Sequence, residues 1–156
     1  MPLLNDAQAQ ENPKEVTRLV LCSGKVYYDL TKSQDFHAGQ SIAVARLEEI
    51  YPFPADELRT LIAGYPNLQE IVWMQEEPCN MGAWMFVAPR LKDPEMVGWR
   101  GELTYAGRAE AASPAEGSMS RHLSEQARIL RTALSDVPQL NASEPKLTGR
   151  KALKIG

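Results

Sequence analysis

Four short apolar segments recur along the chain, and each is followed by a segment in which apolar side chains return every three or four residues. The apolar segments are continuous rather than alternating, which is typical of strands buried on both faces of a sheet. They predict strands over residues 18–22, 41–47, 70–74 and 103–106. The amphipathic segments predict helices over residues 25–33, 55–63, 81–91 and 118–134.

Strands that alternate with helices favour right-handed crossovers and a mostly parallel sheet with helices on both faces. The predicted fold class is therefore three-layer α/β. Residues 48–51 and 96–99 are two candidates for a fifth strand, and the apolar pattern does not choose between them. The helix starts are better marked than the fifth strand. Pro54 precedes an acidic first turn, and Ser118 or Ser120 offers a cap for the last helix.

Domain limits follow from where this pattern begins and ends. Residues 1–15 show no periodicity, so we expect a disordered leader or linker there. The α/β domain is expected over residues 16–136. Residues 137–156 lose the apolar period and carry several basic side chains, which predicts a flexible, solvated tail.

Composition narrows the class of protein. The chain has 156 residues and a formal net charge of −3, and its lysines and arginines are scattered, which argues against a nucleic-acid-binding face. No apolar stretch approaches the roughly 20 residues that a bilayer span needs. Cys22 and Cys79 stand apart from other metal-ligand residues and are expected to be free buried thiols, as in a reducing cytosol. We therefore expect a soluble, cytoplasmic protein that binds neither nucleic acid nor a membrane.

Residues 23–25 follow the first predicted strand and open a helix, where parallel sheets bind ligands and helix N–H groups attract anions. A phosphate or nucleotide site is one interpretation. The glycine patterns of dinucleotide and P-loop sites are absent, however, so a strand–helix joint with Ser23 as the cap is the favoured alternative. His37 and His122 have no partners at ligand spacing, and no metal site is predicted.

The segment QEEPCNMGAW, residues 75–84, follows the third predicted strand. Glu76 and Glu77 are neighbours along the chain and point to different sides, so they do not form an acid–base pair. We interpret Asn80 as a helix cap, Gly82 as a close approach to a neighbouring backbone, and Trp84 as the side chain that fills the space beside it. This predicts a structural joint or interface, with catalysis as the alternative.

Four blocks together carry a resemblance to a known family. They are CSGKVYYDL (22–30), RLEEIYPFP (46–54), QEEPCNMGAW (75–84), and YAGR (105–108) with ASPAEG (112–117). In this order and at this spacing they resemble the C-terminal domain of the decarboxylating first component of 2-oxoglutarate dehydrogenase. The resemblance covers about residues 16–134.

The resemblance implies a transketolase C-terminal fold with a five-stranded, mostly parallel sheet. Members of this family are thiamine diphosphate enzymes that use magnesium and pass a succinyl group to a dihydrolipoyl succinyltransferase. It also implies that the thiamine-binding domains of the same enzyme and a homodimer mate are partners. The family's GDG-started cofactor motif is absent here, so we expect this chain to bind no cofactor and to be inactive alone.

Two sets of residues are predicted to form sites. Glu76, Glu77, Asn80, Gly82 and Trp84 form the interface or joint, which in relatives supports the dimer and the mouth of the active site. The other set is a candidate crevice for an anion or effector, made of Ser23, Lys25, Arg46 and Arg108. A stand-alone module that binds a small anion or nucleotide in that crevice is the alternative function, and an independent enzyme is a third hypothesis.

The chain departs from the family in two places. The loop at residues 108–114 lacks the first proline and first serine of the family's R-P-x-S-A-S-P pattern. After the Tyr-Pro-x-Pro turn, Asp56 and Glu57 stand where relatives activated by acetyl-CoA carry arginines. Regulation by that anion is therefore not expected here.

Overall fold

Five strands form one mixed sheet. The computed structural model describes residues 2–33, 36, 41–113 and 117–135. The strands are β1 (Leu3–Asn5), β2 (Arg18–Ser23), β3 (Ile42–Leu47), β4 (Glu70–Pro78) and β5 (Glu102–Arg108), in the order β1-β3-β2-β4-β5. Strands β2 to β5 run parallel to their neighbours, and β1 pairs with β3 antiparallel. The predicted α/β class with a five-stranded, mostly parallel sheet is confirmed.

Helices cover both faces of the sheet. They are α1 (Ala7–Glu11), α2 (Val26–Thr31), α3 (Ala55–Ala63), α4 (Trp84–Leu91), α5 (Pro94–Val97) and α6 (Met119–Leu134). One apolar cluster packs beneath α3, α4 and α5, and a second packs beneath α2 and α6. Successive residues of β4 are buried alternately in the two clusters. Ile71 and Trp73 belong to the first cluster, and Val72 and Met74 belong to the second. This explains why the strand segments are continuously apolar.

The expectation of a disordered leader over residues 1–15 is wrong. The strand that completes the five-stranded sheet is β1 (Leu3–Asn5). Leu3 lies opposite Leu47, and α1 follows β1 directly. Asp6 caps α1 by accepting from the backbone N–H of Gln8 at 2.9 Å. Neither 48–51 nor 96–99 forms a strand. A strand of three residues is too short to display a period, and it is held by pairing with β3 instead.

The other predicted boundaries are close to those observed. Helix α3 spans the predicted residues, and Ser118 caps α6 by accepting from Arg121 N at 3.3 Å. Helix α2 is shorter than predicted, and α5 was not predicted at all. His37 and the predicted tail at 137–156 lie outside the described residues.

A buried ion pair joins the amino ends of the central strands to the end of α6. Arg18, only 8% exposed, donates from Nε to Glu70 Oε2 at 2.8 Å. Its guanidinium also donates to the backbone oxygens of Ala133 and Ser135, where α6 ends. The other carboxylate oxygen of Glu70 accepts from Thr104 Oγ1 at 2.7 Å. One charged pair therefore links β2, β4, β5 and α6.

Replacing Glu70 tests the importance of this pair. Glu70→Ala should lower the free energy of unfolding by about 3–5 kcal/mol, because it leaves the Arg18 guanidinium buried without its counter-charge. The matched control is Glu95→Ala, which removes an exposed pair with Arg100 whose atoms are 3.9 Å apart and should change stability by less than about 1 kcal/mol. Urea denaturation measures both. Equal effects of the two substitutions would mean that Arg18 is hydrated after all.

Candidate functional site

The carboxyl edge of the sheet contains the point where the chain reverses its direction of winding. After β2 the chain adds β3 on one side, and then crosses over to add β4 on the other side of β2. Open parallel sheets bind ligands at such a point, outside the carboxyl ends of the two strands. Residues 23–25 leave β2 here, and residues 75–84 include the end of β4 and the turn into α4.

A single buried side chain, Gln75, organises the end of β4. Its Oε1 accepts from Trp73 Nε1 at 2.9 Å and from the backbone N–H of Trp84 at 3.0 Å. Its Nε2 faces three backbone oxygens at the end of β4 and in the following turn, at 2.9–3.2 Å. Those oxygens belong to Glu77, Pro78 and Met81. Gln75 is 3% exposed, so these contacts replace water for both ends of its amide.

Sequence reasoning missed Gln75 and misplaced Asn80. Asn80 does not cap α4: its side chain donates to Ala111 O at 3.0 Å and accepts from Ala111 N at 3.1 Å. It therefore fastens the turn to the segment after β5. The α4 N-cap position is Ala83, which has no polar side chain, and Gln75 accepts from the first helical N–H instead. The signal that was available is a lone amide at the end of an otherwise apolar strand.

Gly82 occupies a position that favours glycine for two reasons. Its φ of 63° lies in the left-handed region. A Cβ there would come within 3.2 Å of the Gln75 amide and of Glu77 Cβ. Gly82 is thus at a close approach, as predicted, but the crowding comes from side chains and not from a neighbouring backbone.

Trp84 packs against its own domain. Its ring lies 5.0 Å from that of Tyr105, centroid to centroid, and it is half-buried. The Tyr105 hydroxyl donates to the backbone oxygens of Glu77 at 3.1 Å and Arg108 at 2.9 Å. Burial raises the pKa of Tyr105 above its ordinary value, so the phenol keeps the proton that it donates. The aromatic pair and these hydrogen bonds connect the turn to β5.

The Lys25 ammonium of the crevice lies near two carboxylates. Lys25 Nζ lies 3.7 Å from Glu76 Oε1 and 3.9 Å from Asp29 Oδ2. Asp29 also accepts from Gln126 of α6 at 3.1 Å. Glu76 Oε1 is enclosed by protein and has no hydrogen-bond partner within the described residues. Glu77, in contrast, is exposed. Lys25 thus faces two carboxylates already.

The four residues of the predicted anion crevice are not all gathered at one place. Ser23, Lys25 and Arg46 lie at the ends of the adjacent strands β2 and β3. Arg108 ends β5, which is separated from β2 by β4. The Arg46 guanidinium is 4.9 Å from the ring centroids of Tyr27 and Tyr28 and pairs with Glu48.

The sequence suggested Ser23 as the cap of α2, but Ser23 does not cap that helix. The N-cap position is Lys25, whose side chain makes no capping hydrogen bond. A six-residue helix with no side-chain cap is a weak anion site, and the sequence supplies no glycine-rich loop to replace it.

The two cysteines do not extend this site, and neither a metal site nor a membrane-spanning helix is found among the described residues. Both cysteines are free, Cys22 buried and Cys79 half-buried. Burial raises the pKa of Cys22 to about 12, so its thiol is unreactive at neutral pH. Among the described residues there is no group of three or more His, Cys, Asp or Glu side chains placed to hold a metal ion. None of the helices in that part of the chain is long and apolar enough to cross a membrane.

The fold is a three-layer α/β domain, and at its carboxyl edge Gln75, Asn80 and Tyr105 bond to the chain's own backbone. Comparison with known proteins gives the family. The chain belongs to the 2-oxoglutarate dehydrogenase C-terminal family, whose model matches residues 1–134. The resemblance recognised in the four sequence blocks is confirmed.

Individual relatives agree with this assignment. The chain is 45% identical over 136 residues to the 2-oxoglutarate dehydrogenase E1 component of an Exiguobacterium species. It is 42% identical over 135 residues to that of Azotobacter vinelandii and 41% identical over 135 residues to that of Rickettsia conorii. Each alignment covers 86% of this chain and 14% of the relative. The chain therefore spans about one seventh of the length of the relatives it matches.

Two glycines provide a matched test of the joint. Gly24 and Gly82 both have a left-handed φ, but a Cβ at Gly24 would meet no heavy atom within 4 Å. Gly24→Ala should lower the free energy of unfolding by about 1–2 kcal/mol through backbone strain alone. Gly82→Ala should lower it by a further ~1 kcal/mol, because the methyl group also crowds Gln75. Urea midpoints measure both, and equal losses would show that the Gln75 side chain moves aside freely.

Proposed function

We propose that this chain acts as the C-terminal domain of a 2-oxoglutarate dehydrogenase first component. In this role it supports the dimer and the mouth of an active site that other domains of the same enzyme build. Catalysis of 2-oxoglutarate decarboxylation, with transfer to a dihydrolipoyl succinyltransferase, belongs to the assembled enzyme. The family match supports the assignment, and the geometry of the carboxyl edge supports the division of labour.

The observation that carries the proposal is the bonding of the polar side chains beside the switch point to the chain itself. Gln75 makes hydrogen bonds to the end of β4 and to the turn after it, and Lys25 is flanked by Glu76 and Asp29. Trp84 and Tyr105 close the side towards β5. An edge whose polar groups are directed to one another favours a supporting role over substrate binding.

The residues that the structure describes do not fit thiamine diphosphate and magnesium. The described part of the chain offers no cluster of acidic ligands, and α2, which opens near the edge, has only six residues. No GDG sequence is present to begin a diphosphate motif. The cofactor of the assembled enzyme would therefore be held by domains other than this one.

An exposed apolar surface supports the proposed contact with those domains. Tyr51 is 82% exposed and Met85 is 67% exposed. The rings of Tyr51 and Phe86 are 6.4 Å apart, and the Arg90 guanidinium lies 3.6 Å from the Phe86 centroid. We call Tyr51, Trp84, Met85 and Phe86 the α4 patch. Aromatic residues, methionine and arginine are the residues enriched at protein interfaces.

The isolated chain should neither bind thiamine diphosphate with magnesium nor decarboxylate 2-oxoglutarate. Calorimetry and a turnover assay test both statements, and saturable binding would contradict the proposal.

A positive test uses the Exiguobacterium enzyme with its matched C-terminal region removed. Replacing that region by this chain should restore activity, whereas an unrelated α/β domain of similar size should not. A stabilising shift in melting temperature with small anions or nucleotides would favour the alternative, a stand-alone binding module.

The α4 patch should make the isolated chain associate weakly. Met85→Glu should reduce self-association and the binding of a hydrophobic dye, because it replaces an exposed apolar side chain of the α4 patch by a charged one. Met119→Glu is the matched control, since Met119 is 73% exposed but lies on α6, on the opposite face of the sheet. Sedimentation velocity measures association. If both substitutions act equally, or neither acts, the α4 patch is not a partner surface.

A further inference from the structure

We propose that Gln75 is a positioning residue: it fixes the start of α4 relative to the sheet and thereby sets the position of the α4 patch. The effect on a partner rests on the function proposed above. The effect on α4 itself does not, because it follows from the hydrogen bonds of this chain alone.

The Gln75 amide joins three pieces of structure. Through Oε1 it holds Trp73, a fully buried residue of the sheet, and the backbone N–H of Trp84, where α4 begins. Through Nε2 it holds the backbone of the turn between them. An amide has two N–H groups and two acceptor lone pairs, and here all of them are engaged. The sheet, the turn and the helix start are therefore fixed to one point.

Within the part of the chain that the structure describes, no other side chain accepts a hydrogen bond from the first turn of α4, although the Trp84 ring also packs on Tyr105. Ala83 at the N-cap has no acceptor, and Asn80 is engaged with Ala111. Gly82, with its left-handed φ, adds no side chain to hold the turn. The hydrogen bond from Trp84 N to Gln75 is thus the attachment of the first turn of α4, and Met85 is the next residue along the chain.

The chemistry requires an amide and not merely a polar group of this size. Three backbone oxygens converge on Nε2, so a carboxylate at the same position would face them with no proton to donate. A protonated glutamic acid would restore one donor. Because the folded state favours the neutral form, the pKa of a glutamate at position 75 would be raised above its unfolded value of about 4.3. The loss of folding stability caused by Gln75→Glu should therefore be smallest in acid and should grow as the pH rises through the folded-state pKa of the new carboxyl group.

The experiment compares Gln75→Glu with Gln69→Glu, an exposed glutamine at the other end of the same strand region. Hydrogen exchange at neutral pH should be faster by about tenfold at the Trp84 amide in Gln75→Glu, and unchanged in β2. The difference in urea midpoint between Gln75→Glu and the wild type should be large at pH 8 and small at pH 5. Gln69→Glu should show neither effect.

Each outcome has a definite meaning. Unchanged exchange at Trp84, or a difference in urea midpoint that does not depend on pH, would overturn the inference. If Gln75→Glu does not fold at pH 8, recovery of the fold on acidification supports the inference and failure to recover overturns it. Sedimentation on the same samples tests the partner step: self-association should fall in Gln75→Glu at pH 8 and return at pH 5. A monomeric wild-type chain would count against the proposed function, while the exchange at Trp84 would still decide the role of Gln75.

Discussion

Three backbone oxygens, at the end of β4 and in the turn after it, converge on the Gln75 side-chain amide. A buried oxygen left without a donor is destabilising by about 1–3 kcal/mol. Glu77 O also accepts from the Tyr105 hydroxyl and Pro78 O from the Met81 N–H, so Met81 O is the oxygen for which Gln75 matters most. Pro78 and Gly82 are compatible with such a turn, because one supplies no N–H and the other adopts a left-handed φ. The path of the chain from β4 into α4 therefore follows from satisfying these oxygens.

The opposite edge of the sheet solves a similar problem with charge. The last carbonyl groups of α6 lack helical partners, and Arg18 donates to two of them while it pairs with Glu70. An amide suffices at the carboxyl edge because its partners are neutral. At the amino edge the guanidinium meets both a carboxylate and the negative end of the α6 dipole. The two edges thus hold the helical layers to the sheet by different means, and α4 and α6 are each fastened to the sheet near one end.

Local patterns predicted the elements whose signals are local. Helix α3 agrees at both ends, because an amphipathic period coincides there with Pro54 and an acidic first turn. Strand β1 was missed because three residues carry no period, and its stability comes from pairing with β3. Asn80 was assigned to the nearest helix start, but its partner, Ala111, lies 31 residues away in sequence. Gln75 escaped notice although its partners lie within nine residues of it, because a convergence of backbone atoms on one amide leaves no periodic pattern in the sequence.

The hydrogen bonds beside the switch point also bear on the proposed role of the domain in a larger enzyme. A parallel sheet presents its strand ends, and the turns that follow them, at one edge, and that edge commonly receives a ligand. Here Gln75 and Tyr105 bond to the backbone at the end of β4 and in the turn after it, and Gln75 also accepts from the first N–H of α4. In the proposed supporting role the placement of α4 would matter, since a misplacement of about 1 Å can lower the rate at a neighbouring active site by 10²-fold. These hydrogen bonds are what fix the start of α4 relative to β4 and β5.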